Sequence, residues 1–364
     1  MKLFLVGGFL GSGKTTAILQ AAMGLQEEGK KAGIVTNDQG DTLVDTALFR
    51  MNHVAAEEVS GACFCCNFGE LVDRIGKLRD ANAGVDIIFA ESVGSCTDLA
   101  ATVVNPLLQL ENPLDISLSV FADIRVLAIY LQNHKKVFHR DVNYIYQKQL
   151  EEADILVVNK TDLLSDRQLK KAKSLIEREF PGKKILYQHS LTKEGVLPWL
   201  TMLLNFPTLP DLKATLQLDY EKYASGEGLL AWLDATVDIR TSDKKAAVLG
   251  LILIKLIRTA LDQLKYPIGH LKFLVSDGDW YKKISYTPGQ PFKKQSYKEM
   301  ANTRQVTLMV NARVQTQPLL LKRVFEDAIG KLKRTTVCQI TEKNLASFKP
   351  GYPRPTHRVQ HVNK

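Results

Sequence analysis

The chain has 364 residues, 45% hydrophobic and 24% charged, with a net charge of +9. That length predicts two domains rather than one core. No apolar run approaches the roughly 20 residues that span a bilayer, so no membrane partner is expected.

The charge is uneven. Residues 1–212 carry 22 Lys+Arg against 26 Asp+Glu, a net −4, whereas 213–364 carry 26 against 13, a net +13. A basic second half suits an acidic protein, an anionic ligand or nucleic acid, or is simply a solvated basic surface. The five cysteines include three clustered at Cys63, Cys65 and Cys66. A secreted disulfide framework would spread and pair them, so metal binding or reactivity in a reducing compartment is the better expectation.

The opening segment, MKLFLVGGFLG, imitates a secretory leader but runs straight into a glycine-rich motif that cleavage would destroy. It is read as the first strand of a cytoplasmic protein. From there the first half alternates. Residues 2–7 read as a strand, 14–29 as a helix closed by Gly29, and 32–37 as a strand. Further strands are predicted at 85–92, 115–123, 153–160 and 183–190, with helices at 70–81, 166–180 and 195–206. Near-continuous apolar strands alternating with helices predict an α/β domain, with a mostly parallel sheet covered on both faces.

Residues 207–212, PTLPDL, read as a linker. A different pattern follows: a strand at 229–240, a long helix at 244–264, a hairpin turning on Asp277, Gly278 and Asp279, a strand at 305–315 and a helix at 317–332. This order predicts a smaller α+β, ferredoxin-like domain. The expected division is 1–212 and 213–364, with the Pro-rich basic tail of 349–364 extended or frayed.

The sequence GFLGSGKT, Gly8 to Thr15, fits G-x-x-x-x-G-K-[ST] between a predicted strand and a predicted helix. Such glycines let backbone N–H groups turn toward phosphate oxygens at a helix N-terminus. Lys14 is placed to reach the β- and γ-phosphates, and Thr15 to ligate Mg²⁺. Glu91 ends the strand at 85–92, where a carboxylate would hold a Mg²⁺-bound water; an N-cap role for a following helix is the alternative. NKTD, Asn159 to Asp162, follows another strand. Asp162 is suited to accept from guanine N1–H and the 2-amino group, which adenine lacks, so GTP is the favoured nucleotide. Lys160 would pack along the base and Asn159 would tie loops together. Ser190 and the Leu191 backbone stand where a loop would meet guanine O6.

Taken together, GFLGSGKTT, the Cys-x-Cys-Cys loop, Glu-x-x-Gly from Glu91 and Asn-Lys-x-Asp resemble the CobW-like metallochaperone GTPases, relatives of UreG and HypB. The resemblance covers the first half in motif order; the second half resembles the family only in strand–helix order. It implies GTP hydrolysis coupled to binding a transition metal, Zn²⁺ or Co²⁺, and delivering it to a client metalloprotein. It also implies nucleotide and Mg²⁺ contacts at Gly11, Ser12, Gly13, Lys14, Thr15, Thr16 and Glu91, with Lys14 and Glu91 catalytic. Asn159, Lys160 and Asp162 match its guanine reader, and Cys63, Cys65 and Cys66 its metal cysteines. Three departures stand out: Asn-Asp-Gln-Gly at 37–40 in place of Asn-Glu-Phe-Gly, Ser92–Val93 with an added Cys96 in place of Thr-Thr, and no histidine-rich loop, which argues against metal storage.

Asn67 and Glu70 form a candidate capping box, placing the cysteines at a helix N-terminus where thiolates are favoured. An extended segment would point Cys66 away from Cys63 and Cys65, so convergence needs a turn. Three thiolates with an open position suit a metal that must leave again. Asp38, Asp41 or His53 could supply a fourth contact, and nothing in the sequence selects one; Cys96, His357 and His361 are lesser candidates. A redox pair, a nucleophile and inert buried cysteines remain as readings. So do a GTPase that remodels a metalloenzyme or corrinoid protein without carrying free metal, and a nucleic-acid-binding NTPase, for which no recognition signature is present. A homo-oligomer is left open.

Overall fold

The computed structural model describes residues 1–40, 44–81, 84–110, 114–133, 138–207, 212–287 and 299–361. They form two compact units: Met1–Gln39, Asp45–Gly226 and Tyr352–Lys364 make the first, and Gly40–Val44 with Glu227–Gly351 the second.

The elements of the first unit run β1 (Lys2–Gly8), α1 (Lys14–Glu27), β2 (Ala32–Asn37), α2 (Val44–Met51), β3 (Ala55–Val59), α3 (Phe68–Asp80), β4 (Ile87–Glu91), α4 (Asn105–Leu108) and β5 (Asp115–Asp123). They continue with α5 (Ile124–Gln132), α6 (Arg140–Glu152), β6 (Ile155–Asn159), α7 (Asp166–Glu179), β7 (Lys184–Tyr187), α8 (Lys193–Leu204) and α9 (Tyr220–Gly228), whose last residues enter the second unit. All seven strands pair in parallel in the order β3-β2-β4-β1-β5-β6-β7. The inner strands β1, β2, β4, β5 and β6 are buried almost throughout, as a sheet covered on both faces requires.

The second unit contains β8 (Ala231–Arg240), α10 (Ala246–Gln263), β9 (Ile268–Ser276), β10 (Tyr281–Tyr286), β11 (Gln305–Val314), α11 (Pro318–Thr335) and β12 (Gln339–Phe348). Its sheet is antiparallel in the order β10-β9-β11-β8-β12. Without the edge hairpin strand β10, this is the strand order of a ferredoxin-like sandwich. Within it the Arg313 guanidinium meets the Asp234 carboxylate at 2.8 Å, with both side chains 1% exposed, and stacks 3.9 Å over the Trp232 ring.

The structure departs from the expected division in two places. The units part between Gly226 and Glu227 rather than at 212/213, and Tyr352–Lys364 group with the first unit. The Pro-rich tail, expected to be extended or frayed, is extended, and its backbone finds partners on the first unit: His361 O accepts from Thr215 N at 2.8 Å and Val359 N donates to Ala101 O at 2.8 Å. Most of the predicted linker lies outside the described residues. Two strands escaped sequence reading. β3 reads AAEEV, too acidic and short to stand out, and β12 alternates polar residues on an edge. No described helix is long and apolar enough to cross a membrane.

Glu152, the last residue of α6, is buried and accepts from Thr97 Oγ1 at 3.2 Å and Ala100 N at 3.4 Å. Burial raises its pKa from 4.5 to about 8, the Asp98 charge adds to the rise, and Lys213 opposes it. The folded chain therefore keeps a proton that the unfolded chain releases near pH 4.5. This group's contribution to stability falls as pH rises from about 4.5 to about 8. Glu152→Gln removes the ionisation, so the variant's Tm should fall less than the parent's across that window when both are followed by thermal melts.

Candidate functional site

A parallel sheet delivers the carboxyl ends of all its strands to one edge. Gly8, Asn37, Val59, Glu91, Asp123 and Asn159 are the last residues of β1, β2, β3, β4, β5 and β6, so the loops that follow them share that edge. The glycine-rich loop follows β1. Gly8 has φ +123° and a Cβ there would lie 2.2 Å from Phe121 O; Gly13 has φ +101° and its Cβ would lie 2.3 Å from Asn159 Nδ2. Only glycine meets both the backbone geometry and the close approach at these two positions.

Lys14 is buried and its Nζ donates to Gly8 O at 2.7 Å, folding back over the loop. Thr15 Oγ1 donates to Glu91 Oε1 at 2.8 Å, so the two residues expected to serve Mg²⁺ are in contact. Ser12 Oγ is buried with no protein partner among the described residues. Gly11, Gly13 and Thr16 are partly exposed around it.

The Asn159–Asp162 segment closes on this loop. Asn159 Nδ2 donates to Ser12 O at 2.8 Å, and Ser190 Oγ donates to Asn159 Oδ1 at 2.8 Å. One buried amide thus ties three sequence motifs together. Lys160, with φ +66°, donates from Nζ to Gly11 O at 2.6 Å and pairs with Asp123 at 3.0 Å. Burial lowers the Lys160 pKa, with the Asp123 carboxylate opposing. For Asp123 burial would raise the carboxyl, but Arg125 and Lys160 outweigh it and hold it low. Asp162 and Leu191 are exposed. Sequence reading missed Asp123; its signal was a carboxylate ending an apolar strand, the same signal that identified Glu91.

The cysteine loop follows β3. Cys63 O accepts from Cys66 N at 2.9 Å and from Asn67 N at 3.0 Å, and this tight turn supplies the convergence that an extended strand would not. All three sulfurs lie within 4.8 Å of one another, with Cys63 Sγ 2.8 Å from Cys65 Sγ and Cys65 Sγ 3.8 Å from Cys66 Sγ. Cys63 and Cys65 are buried and Cys66 is partly exposed. Cys96, carried by the loop after Glu91, lies outside this group of three, and its thiol acts on Cys63 and Cys65. Thiol donors from Cys65, then Cys66 and Cys96, hold Cys63 well below its ordinary range. Donating toward Cys63 raises Cys65, and raises Cys66 to about 11. The cluster therefore carries its first negative charge on Cys63.

Asn37, the last residue of β2, builds this loop. Its Nδ2 donates to Val59 O at 3.0 Å and Ala62 O at 2.8 Å, and its Oδ1 accepts from Phe64 N at 2.8 Å. Sequence reading placed Asn37 in a switch-like segment without seeing that it carries the cysteine loop. The signal was absent because its partners are backbone atoms.

Some expected residues are not brought together. Asp38 lies outside the sulfur group, and its carboxylate accepts from Gln39 N at 2.8 Å. It sits at a turn just past β2, and its side chain caps its own backbone rather than reaching the thiols. Asp41 falls outside the described residues. His53, with φ +57°, occupies an exposed turn after α2. The capping box does not form at α3: Asn67 makes no side-chain cap and instead donates to the Glu70 carboxylate. The neighbouring turn already uses the Asn67 backbone.

Comparison with known proteins now bears on this geometry. Residues 2–187, half the chain, match the family model described as CobW/HypB/UreG, nucleotide-binding domain. The chain belongs to the CobW/HypB/UreG family. Among named relatives, the zinc chaperone CobW of Sinorhizobium sp is 27% identical, over 45% of this chain and 52% of that protein. The zinc chaperone YeiR of Escherichia coli K12 is 29% identical, over 43% and 46%. The zinc-regulated GTPase metalloprotein activator 1 of Schizosaccharomyces pombe is 28% identical, over 44% and 39%. The chain thus spans about half the length of these relatives or less. HypB from Helicobacter pylori, solved in complex with nickel, aligns over 56% of this chain and 86% of its own at 17% identity and a TM-score of 0.41.

In this CobW/HypB/UreG chain the Asn159 amide is the fixed point between the glycine-rich loop and the loops after β6 and β7. Asn159→Ala deletes two hydrogen bonds, so nucleotide affinity should fall about tenfold or more. Titration calorimetry with GDP on folded variant and parent checks this.

Proposed function

We propose that the protein is a GTP-hydrolysing metallochaperone that binds a transition metal through its cysteine loop and hands it to a client protein. One observation carries the reading: the three thiols converge on the same sheet edge as the phosphate loop. Family membership and relatives named as zinc chaperones support Zn²⁺ as the cargo. Thiolate-rich ligation also suits Co²⁺, which follows Zn²⁺ into tetrahedral sites.

On this reading Gly11, Ser12, Gly13, Lys14, Thr15 and Thr16 cradle the phosphates, and the unpartnered Ser12 hydroxyl and the folded-back Lys14 are the groups that turn to them. Thr15 and Glu91 are the pair that would hold Mg²⁺, which supplies charge neutralisation at the β- and γ-phosphates. Asp162, with Lys160, Ser190 and Leu191, reads guanine.

Coupling between the pockets has two routes. From β1 to β3 the sheet steps across β4 and β2, so the phosphate loop and the cysteine loop stand about three strand spacings, or ~14 Å, apart. Direct contact is too long for one side chain. The end of β2 bridges through Asn37, which holds Val59, Ala62 and Phe64. The loop after β4 bridges through Cys96, five residues beyond Glu91. Ordering these loops around GTP would tighten the thiols, and losing the γ-phosphate would loosen them.

Zn²⁺ affinity should therefore be higher with a non-hydrolysable GTP analogue than with GDP, measured by competition with a chromophoric chelator; equal affinities would remove the coupling. Cys96 is our candidate for the fourth sulfur. In the Co²⁺-loaded protein, Cys96→Ser should reduce the sulfur-to-cobalt charge-transfer absorbance by about a quarter, the share of one thiolate in a four-sulfur tetrahedral site.

A second reading takes its motive from the burial of Cys63 and Cys65. The cysteines would then shape the loop of a GTPase that activates a metalloprotein without carrying free metal. Cys65→Ser separates the two: retained client activation after loss of metal binding would favour the second.

A further inference from the structure

Residues 352–361 lie along the first unit as an extended strap. Arg354 N donates to Cys66 Sγ at 3.2 Å. Thr356 N and Oγ1 both donate to Cys65 O, at 2.9 Å and 3.4 Å. The His357 ring packs 4.7 Å from the Phe68 ring, at the start of α3. Pro353, within this stretch, is buried.

The strap is anchored on the other side by the loop that follows Glu91. Arg358 Nε donates to Asp98 Oδ2 at 2.8 Å, and Tyr220 OH donates to the same oxygen at 2.7 Å. Asp98 is 1% exposed at its side chain and has φ +64°, a conformation that needs such partners to persist. Next, Val359 N donates to Ala101 O at 2.8 Å. Ala101 lies in a π-turn spanning Ala100–Val104, where widened backbone pairing leaves carbonyls to outside donors. Asn105 Nδ2 closes the contact on Val359 O at 3.1 Å.

One short segment thus joins the cysteine loop to the loop carrying Cys96. It does so at Cys66, the most exposed of the three clustered thiols. An amide aimed at a thiol sulfur fixes the direction of that sulfur. Ordinary packing of a tail would not require the amide of Arg354 to meet a sulfur, nor a buried carboxylate two residues from Cys96 to receive its arginine.

We propose that residues 352–361 are the retaining strap of the metal site, with Arg354 N–H positioning Cys66 and the Arg358–Asp98 pair as the latch that must open before metal leaves. This rests on the metallochaperone reading. Arg354 and Arg358 are positioning residues: neither touches the nucleotide-side motifs.

Two variants of the full chain test it. Arg354→Pro deletes the N–H while leaving the latch, and Arg358→Ala opens the latch while leaving the N–H. Each should release Zn²⁺ to an excess of a chromophoric chelator about tenfold faster than the parent, with unchanged GDP affinity. Arg354→Pro should also shift the sulfur-to-cobalt charge-transfer band, a signature that general loosening does not produce. Parent-like release from both variants overturns the proposal. Metal-free hydrogen exchange keeps the strap testable apart from the metal reading. Arg358→Ala should raise amide exchange at residues 63–67 and 98–102; parent-like exchange there overturns the latch even if Zn²⁺ binds. If the parent binds no Zn²⁺, the metallochaperone reading fails, and the exchange result alone then decides whether the strap holds the loop.

Discussion

Everything in the first unit follows from the parallel pairing of its seven strands. Parallel neighbours send every strand's carboxyl end to one edge, so residues separated by more than a hundred positions meet without a dedicated scaffold. The phosphate loop after β1, the carboxylates ending β4 and β5, the Asn159–Asp162 loop after β6 and the cysteine loop after β3 all inherit their position from that rule. Central β1, flanked by β4 and β5, places the phosphate loop where neighbouring strand ends can serve it.

Within that frame, two asparagine side chains do comparable jobs. Asn159 links the glycine-rich loop to the loop after β7, and Asn37 holds the cysteine loop. Each ends a buried strand and each uses both its donor and its acceptor. A buried amide with both ends satisfied is stiff, because losing either partner leaves a polar group without water or protein to meet it. Each asparagine therefore fixes a loop to the end of a buried strand.

The cysteine cluster is an electrostatic compromise. Three thiols within 4.8 Å cannot all ionise cheaply in a buried setting, so one takes the charge and the others donate to it. A cation changes that balance by compensating every thiolate at once. Partners outside the loop matter too: Cys96 acts on Cys63, where the charge sits, and the Arg354 amide meets the neighbouring Cys66 sulfur.

The sequence by itself determined what is local. Strands β1, β2, β4, β5, β6 and β7, helices α1, α3, α7, α8, α10 and α11, and the phosphate, guanine and cysteine motifs are written in contiguous residues whose spacing reflects backbone geometry. Tertiary structure decided what depends on partners distant in the chain. The polar strands β3 and β12 gain their identity from pairing, not from composition. The division at Gly226 follows from which residues pack into each compact unit, while the grip of Asn37 on the cysteine loop and the return of residues 352–361 use backbone hydrogen-bonding groups, which no side-chain pattern announces. Asp38, attractive in sequence because it neighbours a motif, is turned to its own backbone, while Cys96, thirty residues from the cluster, reaches it because β4 lies beside β2 in the sheet.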